Sequence, residues 1–127
     1  PGHRQASVLV AVMVCLALIT ALIGAMAQRA ILAARQCQFR QRAVQTRWLV
    51  EAGLERAVFQ IQHDRAYAGE TWQIPAAELG GPHTAEVSIS FMTTESPATI
   101  TVRARYPSED PTAVQRTETF PYVPQEQ

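Results

Sequence analysis

The sequence predicts an α+β fold: one long N-terminal helix packed on a small antiparallel sheet of three to four strands. Three observations carry that prediction. Ala6–Ala27 is a run of 22 residues without a charge. No proline occurs between Pro1 and Pro75, whereas seven fall from Pro75 to Pro124. Two segments in the second half alternate apolar and polar residues, the period of a half-buried strand.

The helix comes first. At about 1.5 Å rise per residue, Ala6–Ala27 spans roughly 33 Å, enough to cross a bilayer's hydrocarbon core. A secretory signal would carry an apolar region of only about 7–15 residues before its cleavage site. Ala25-Met26-Ala27 has the small-x-small shape of such a site, but the length of the run favours a membrane span. No turn signal follows Gln28, and a proline-free stretch is what an uninterrupted helix requires. The prediction is one helix from about Ala6 to about His63, roughly 87 Å long. It is apolar all round in its first half and amphipathic in its second.

In that second half, residues placed at about 100° intervals put Val50, Leu54, Ala57, Val58 and Ile61 on one stripe. These are the expected helix–sheet packing residues. Val44, Trp48, Ala52 and Phe59 form a second cluster beside it, with Glu51 and Glu55 between the two. Gly53 sits in the middle of this stretch, where glycine costs about 1 kcal/mol relative to alanine. The stripes continue past it, so it is read either as a close-packing glycine beside Trp48 and Leu49, approached by the sheet or by a neighbouring subunit, or as tolerated helix flexibility. Glu51 is expected to pair with Arg47 one turn earlier.

The sheet follows. "TAEVSISFM" (Thr84–Met92) alternates Val87, Ile89 and Phe91 against Glu86, Ser88 and Ser90. "ATITVRARY" (Ala98–Tyr106) does the same with Ile100, Val102, Ala104 and Tyr106, and "TTESP" supplies the turn between them. "YPSEDP" (Tyr106–Pro111) is a second turn. "AVQRTETFPYV" (Ala113–Val123) is a weaker strand, which Pro121 assigns to an edge. "TWQIP" (Thr71–Pro75) is a candidate fourth strand inside a connection over 65–83. Tyr67, Trp72 and Ile74 are expected to tuck under the sheet there. So small a sheet needs a cover, and the Val50–Ile61 stripe is the available one. The organisation read from the chain is therefore 1–5 N-terminal remnant, 6–27 apolar helix, 28–64 amphipathic helix, 65–83 connection and 84–127 sheet.

Charge divides the molecule. Residues 1–65 hold eight arginines against three carboxylates, a net of +5, and residues 66–127 hold three arginines against eight carboxylates, a net of −5. Opposite charge on two halves points to self-association or a polar partner surface rather than nucleic acid. The basic stretch also lacks the interleaved aromatics of a single-strand binder. Cys15 and Cys37 lie 22 residues apart on one predicted helix, far beyond disulfide reach. No catalytic constellation, phosphate-cradling loop or metal-ligand spacing is visible. His3, His63 and His83 are scattered, and Asp64, Glu70 and Glu78 match no calcium loop. The expectation is a non-enzyme without cofactor or metal.

One hydrophobic helix that becomes amphipathic and covers a small sheet resembles type IV pilins and type II secretion pseudopilins. "HRQASVLVAVMVCLALI" (His3–Ile19) looks like the start of minor pilins and pseudopilins. "WLVEAGLERA" (Trp48–Ala57) is similar to a segment common in minor pilins of the PilX type, with Val50 where alanine is usual. The resemblance covers the first 65 residues well and the sheet by pattern only. It implies a minor pilin or pseudopilin, a structural subunit stored in the membrane that assembles into or primes a filament. Its partners would be other pilin subunits, an inner-membrane assembly platform, prepilin peptidase and the lipid bilayer. Arg29, Arg35, Arg40, Arg42 and Glu55 would supply charge contacts between subunits.

The sequence departs from the family pattern at its start. The family's peptidase cuts after a glycine next to the apolar run, whereas here Gln5 precedes Ala6 and Gly2 is the nearest glycine. Gly2, Gln5 and Ala6 are thus the candidate processing positions. Major pilins carry a glutamate four residues after the new terminus; counted from His3 or from Ala6, that place is Ser7 or Val10. This argues for a minor subunit. Orientation is contested too. Arg29, Arg35, Arg40, Arg42 and Arg47 follow the span, and only His3 and Arg4 precede it, so the positive-inside rule places the C-terminal part in the cytoplasm. The resemblance implies a bacterial inner-membrane protein with a periplasmic domain, reaching the cell surface when assembled. That reading is adopted, because a chain starting without Met is expected to have lost a basic leader. The alternatives are a single-pass membrane-anchored adaptor that never polymerises, and a secreted β-rich binding module with a signal peptide.

Overall fold

The computed structural model describes residues 2–94 and 96–124. Pro1 of the N-terminal remnant and Glu95 of the "TTESP" turn lie outside the described residues. The order of elements is α1 (Gly2–His63), β1 (Gly69–Ile74), α2 (Ala76–Leu79), β2 (Ala85–Met92), β3 (Ala98–Tyr106) and β4 (Val114–Tyr122). The fold is α+β, with α1 packed on a four-stranded antiparallel sheet in the order β1-β2-β3-β4. The chain divides into two units, Pro1–Gln38 and Phe39–Gln127.

In the first unit every described residue is helical and exposed. Leu9, Leu16, Leu22, Ile23 and Met26 present their side chains to the surroundings rather than to a core. Among the described residues α1 is the one helix long and apolar enough to cross a membrane, by length and composition. Thr20 is polar within this apolar run. Its hydroxyl lies 3.0 Å from the carbonyl oxygen of Leu16 and 2.9 Å from that of Ala17, so its one donor is satisfied inside the helix.

The second unit contains the sheet and the remainder of α1. Neighbouring strands in the sheet are consecutive in the chain, so each connection is a local antiparallel return. The register aligns Val87 with Ala104 and Ile89 with Val102, which stacks the apolar faces of β2 and β3 side by side. On the same face β1 contributes Trp72, opposite Val87, and Ile74, opposite Ala85. β4 contributes Phe120, opposite Ile100. The core is Leu49, Val50 and Ala57 from α1 together with Ile74, Ala85, Val87, Ile89, Ile100, Val102, Ala104 and Tyr106.

The predicted connection over 65–83 is mostly regular structure. It holds the whole of β1 and α2, so the sheet begins at Gly69 rather than at 84. The candidate strand over Thr71–Pro75 is the greater part of β1, and only its start was hidden: Glu70 shares a face with Trp72 and Ile74 and breaks their apolar alternation. Gly69 has φ +139, and a Cβ there would lie 2.3 Å from the carbonyl oxygen of Ile89. Only glycine tolerates that conformation and that approach. Tyr67 and Trp72 pack partly buried against the core, and Ile74 is part of it.

Candidate functional site: the helix–sheet seam and its surroundings

The seam is built around a residue without a side chain. Gly53 is buried, and a Cβ on it would sit 2.7 Å from Cγ1 of Val102 and 2.8 Å from Cγ1 of Val87. α1 therefore approaches the two central strands more closely than a helix with alanine there could. Of the two elements that could pack against this glycine, it is the sheet of the same chain that does so. Around it Thr46, Leu49, Val50 and Ala57 are buried, and they fall within about 60° of Gly53 on the helix wheel.

The predicted packing residues divide. Val50 (1% exposed) and Ala57 (0%) are fully in the seam. Leu54, Val58 and Ile61 are only half-buried at its margin. Leu49 and Thr46 were not on the predicted stripe and are buried. Thr46 is accommodated because its hydroxyl donates to the carbonyl oxygen of Arg42 at 2.7 Å. The second cluster faces away from the sheet: Val44, Trp48 (66% exposed) and Phe59 are exposed. Glu51 accepts from Arg47 at 3.4 Å, the pairing expected one turn apart.

Two polar clusters fasten the seam, and neither was foreseen. At one, Arg56 Nε donates to Glu70 Oε1 at 2.8 Å and an Arg56 terminal nitrogen to Glu70 Oε2 at 3.2 Å, a two-pronged pair between α1 and β1. The Arg56 guanidinium also lies 4.7 Å from the centre of the Trp72 ring, within cation–π range. The Tyr67 hydroxyl donates to Glu70 Oε1 at 3.2 Å. The Arg56 hydrogen bonds hold the Glu70 carboxyl below its ordinary range, with burial opposing them. Arg56 is raised in turn, chiefly by its hydrogen bond to Glu70. Burial pushes the Tyr67 phenol up to about 12, and the neighbouring Glu70 charge adds to it.

At the other, Arg42 reaches the turn between β3 and β4, lying 3.3 Å from Asp110 Oδ2 and 3.2 Å from the Thr112 hydroxyl. Asp110 accepts from the Thr112 hydroxyl at 2.7 Å and from its backbone N–H at 2.8 Å. Those bonds, the Thr112 hydroxyl first, hold the Asp110 carboxyl below the usual range, and the Arg42 charge acts in the same direction. Arg42, one of the residues expected to supply charge between subunits, has its guanidinium engaged within its own chain, because the turn carries a carboxylate and a hydroxyl within reach. Arg29, Arg35, Arg40 and Glu55 are exposed.

The candidate processing positions Gly2, Gln5 and Ala6 are all exposed and all lie within α1, which starts at Gly2 rather than at Ala6. Cys15 and Cys37 are exposed free thiols. Among the described residues no three His, Cys, Asp or Glu side chains are grouped to hold a metal ion. Glu70, one of the loop carboxylates, is tied to Arg56 instead. Comparison with family models, with characterised proteins and with solved structures finds no match to this chain.

Proposed function

We propose that this chain is a minor pilin or pseudopilin: a membrane-stored structural subunit that enters or primes a type IV pilus or type II secretion filament. One observation carries the reading. A single helix is apolar over Ala6–Ala27, is exposed throughout its described residues up to Gln38 and, further along, forms the tight cover of an antiparallel sheet. A helix exposing that many leucines, valines and isoleucines is not at equilibrium in water. It needs lipid, other helices, or each in turn, and a filament subunit uses both. In the membrane the apolar half holds the subunit; in the filament the same surface packs on neighbouring helices, so lipid contact is exchanged for protein contact. The outward residues Val44, Trp48 and Phe59 extend the surface available to neighbours, with Arg29, Arg35, Arg40 and Glu55 supplying charge.

In this reading the inner membrane holds the subunit with its sheet on the periplasmic side. Prepilin peptidase and the assembly platform act on it, and no reaction is catalysed. Ser7 and Val10, which exclude the terminal-amine contact of a major pilin, suit a second reading equally: a single-pass adaptor that never polymerises would not need that contact. Mass spectrometry of the N-terminus of the cell-derived protein, with and without prepilin peptidase, separates the two. Peptidase-dependent cleavage near Gly2 or Gln5 supports the filament subunit, and an unprocessed terminus supports the adaptor. Cleavage after Ala27 would mean a secreted module. A sheared filament fraction free of this chain, despite abundant filaments, would also overturn the proposal.

A further inference from the structure

The sheet has two edges, β1 and β4, and β4 is the longer at nine residues against six. We propose that β4 is an interface for a second copy of this chain, pairing antiparallel with β4 of the other molecule about a two-fold axis at Thr117. The inference is independent of how the apolar helix is used.

The argument begins with which residues share a face. The register with β3 puts Val114, Arg116, Glu118, Phe120 and Tyr122 on the core side, opposite Tyr106, Ala104, Val102, Ile100 and Ala98. Gln115, Thr117 and Thr119 are on the other side. In an antiparallel pair related by a two-fold, directly opposed residues must lie on the same face, so only every second register is allowed.

The allowed registers differ sharply. A two-fold at Thr117 sets Arg116 against Glu118 of the second copy and Glu118 against its Arg116. It also sets Val114 against Phe120, Gln115 against Thr119, and Thr117 against itself. Every pair is favourable: opposite charge, apolar with apolar, hydroxyl or amide with hydroxyl. Moving the axis to Arg116 opposes two arginines and puts Val114 against Glu118. Moving it to Glu118 opposes two glutamates and puts Arg116 against Phe120. Within one chain Arg116 and Glu118 already contact each other, both part-exposed. The second copy would close that pair into a ring of four alternating charges.

Charges on the core-facing side of an edge strand also have a protective use, since they discourage edge-to-edge association. The two roles make opposite predictions. If Arg116 and Glu118 only guard the edge, replacing both with threonine increases self-association. If they complement one another across the two-fold, the same replacement decreases it.

The test uses the full chain in detergent micelles, with Cys15→Ala and Cys37→Ser removing the native thiols. Thr117→Cys is oxidised and the disulfide dimer measured, with Thr71→Cys on the opposite edge as the control. Opposed residues in an antiparallel pair are about 4.5–5.5 Å apart at Cα, within disulfide reach. The expected yield at Thr117 exceeds that at Thr71 by about fivefold or more, given opposite-charge and apolar pairs on both sides of the axis. Either Arg116→Glu or Glu118→Arg in the Thr117→Cys background lowers the yield to the control level. Mixing those two single variants, distinguished by mass tags, restores it as a heterodimer, because glutamates on one chain then oppose arginines on the other. The pair within each chain stays broken in that mixture, so recovery reports the contact between molecules. Equal yields at Thr117 and Thr71, no recovery on mixing folded variants, or a higher yield from the double threonine variant overturns the proposal. Protease resistance reports folding; should a charge variant not fold, the comparison of Thr117 with Thr71 decides alone.

Discussion

Gly53 and Val102 meet across the helix–sheet seam with no space for another carbon: a Cβ on the glycine would lie 2.7 Å from Cγ1 of the valine. Val87 closes the other side at 2.8 Å. Both atoms belong to stiff β-branched side chains inside a packed core, so neither can swing clear cheaply. Gly53→Ala therefore sets two effects against each other. Helix propensity favours the variant by about 1 kcal/mol, whereas overpacking costs about 1–3 kcal/mol. The expected net is destabilisation, read as a lower midpoint in denaturant-dependent proteolysis of the full chain in detergent. Adding Val102→Ala should relieve the contact on that side, leaving the one with Val87, while opening a cavity of its own, so the double variant should be more stable than the sum of the two single losses predicts.

Val50→Asp should damage the sheet unit more than Leu54→Asp. Val50 is 1% exposed whereas Leu54 is half-buried at the seam's margin. An aspartate at 50 would bury an unpaired charge, and at 54 it can reach water. Limited proteolysis should show loss of the protected fragment in the first variant and partial retention in the second. On the proposed reading both should still fractionate with membranes, since neither change touches Ala6–Ala27.

The Arg56–Glu70–Tyr67 cluster gives stability a pH dependence on both sides of neutrality. Glu70 is held below its ordinary range in the folded chain. Its contribution is therefore complete above the unfolded glutamate value and is lost as pH falls through the lower folded one. Since the Arg56 and Glu70 side chains are partly exposed (37% and 26%), the contribution is modest, about 0.5 kcal/mol. Glu70→Gln should reduce stability at neutral pH and flatten the acid limb. Tyr67 acts oppositely. Its folded value of about 12 against an ordinary 10.0 means its contribution is complete below pH 10 and fades between 10 and 12. Tyr67→Phe should remove that alkaline loss. Thermal midpoints across a pH series check both.

Arg42→Ala should loosen the turn between β3 and β4 without unfolding the sheet. The arginine fastens Asp110 and Thr112 to α1, while the bonds from Thr112 to Asp110 are internal to the turn. Hydrogen exchange should speed at residues 108–113 and leave the β2–β3 amides protected. Arg42→Lys should restore much of the protection, because one terminal nitrogen of Arg42 makes both contacts and a single ammonium can stand in its place.

The long helix and the two central strands were legible because each has a strong period: a charge-free, proline-free run for α1, and strict alternation through Val87–Phe91 and Ile100–Tyr106. The seam was less legible. Centring the stripe on the largest apolar side chains rotated the predicted face by about 60–70° toward Leu54, Ile61 and Val58. The true centre is marked by Gly53 and flanked by Thr46 and Ala57, residues that add little apolar weight yet permit the closest approach. Size and proximity compete at such an interface, and a periodicity weighted by hydrophobicity sees only size. Glycine, alanine and a back-bonded threonine on one arc were the available signal. β1 was legible from Thr71 on, whereas its start was obscured by Glu70, whose role depends on an arginine 14 residues away, a relation that no local pattern carries.

Thr20 holds its hydroxyl within its own helix, against the carbonyl oxygens of Leu16 and Ala17. The flank it belongs to therefore asks no directed bond of whatever lies alongside. Acyl chains and aliphatic side chains are interchangeable there as far as polarity is concerned. Nothing chemical at that level fixes an azimuth or a depth, so the azimuth and depth of a neighbour must come from contour alone. Gly24, one turn further along, leaves open space where other residues carry a Cβ. A dent beside a chemically indifferent wall is where a sliding helix would first find a reason to stop.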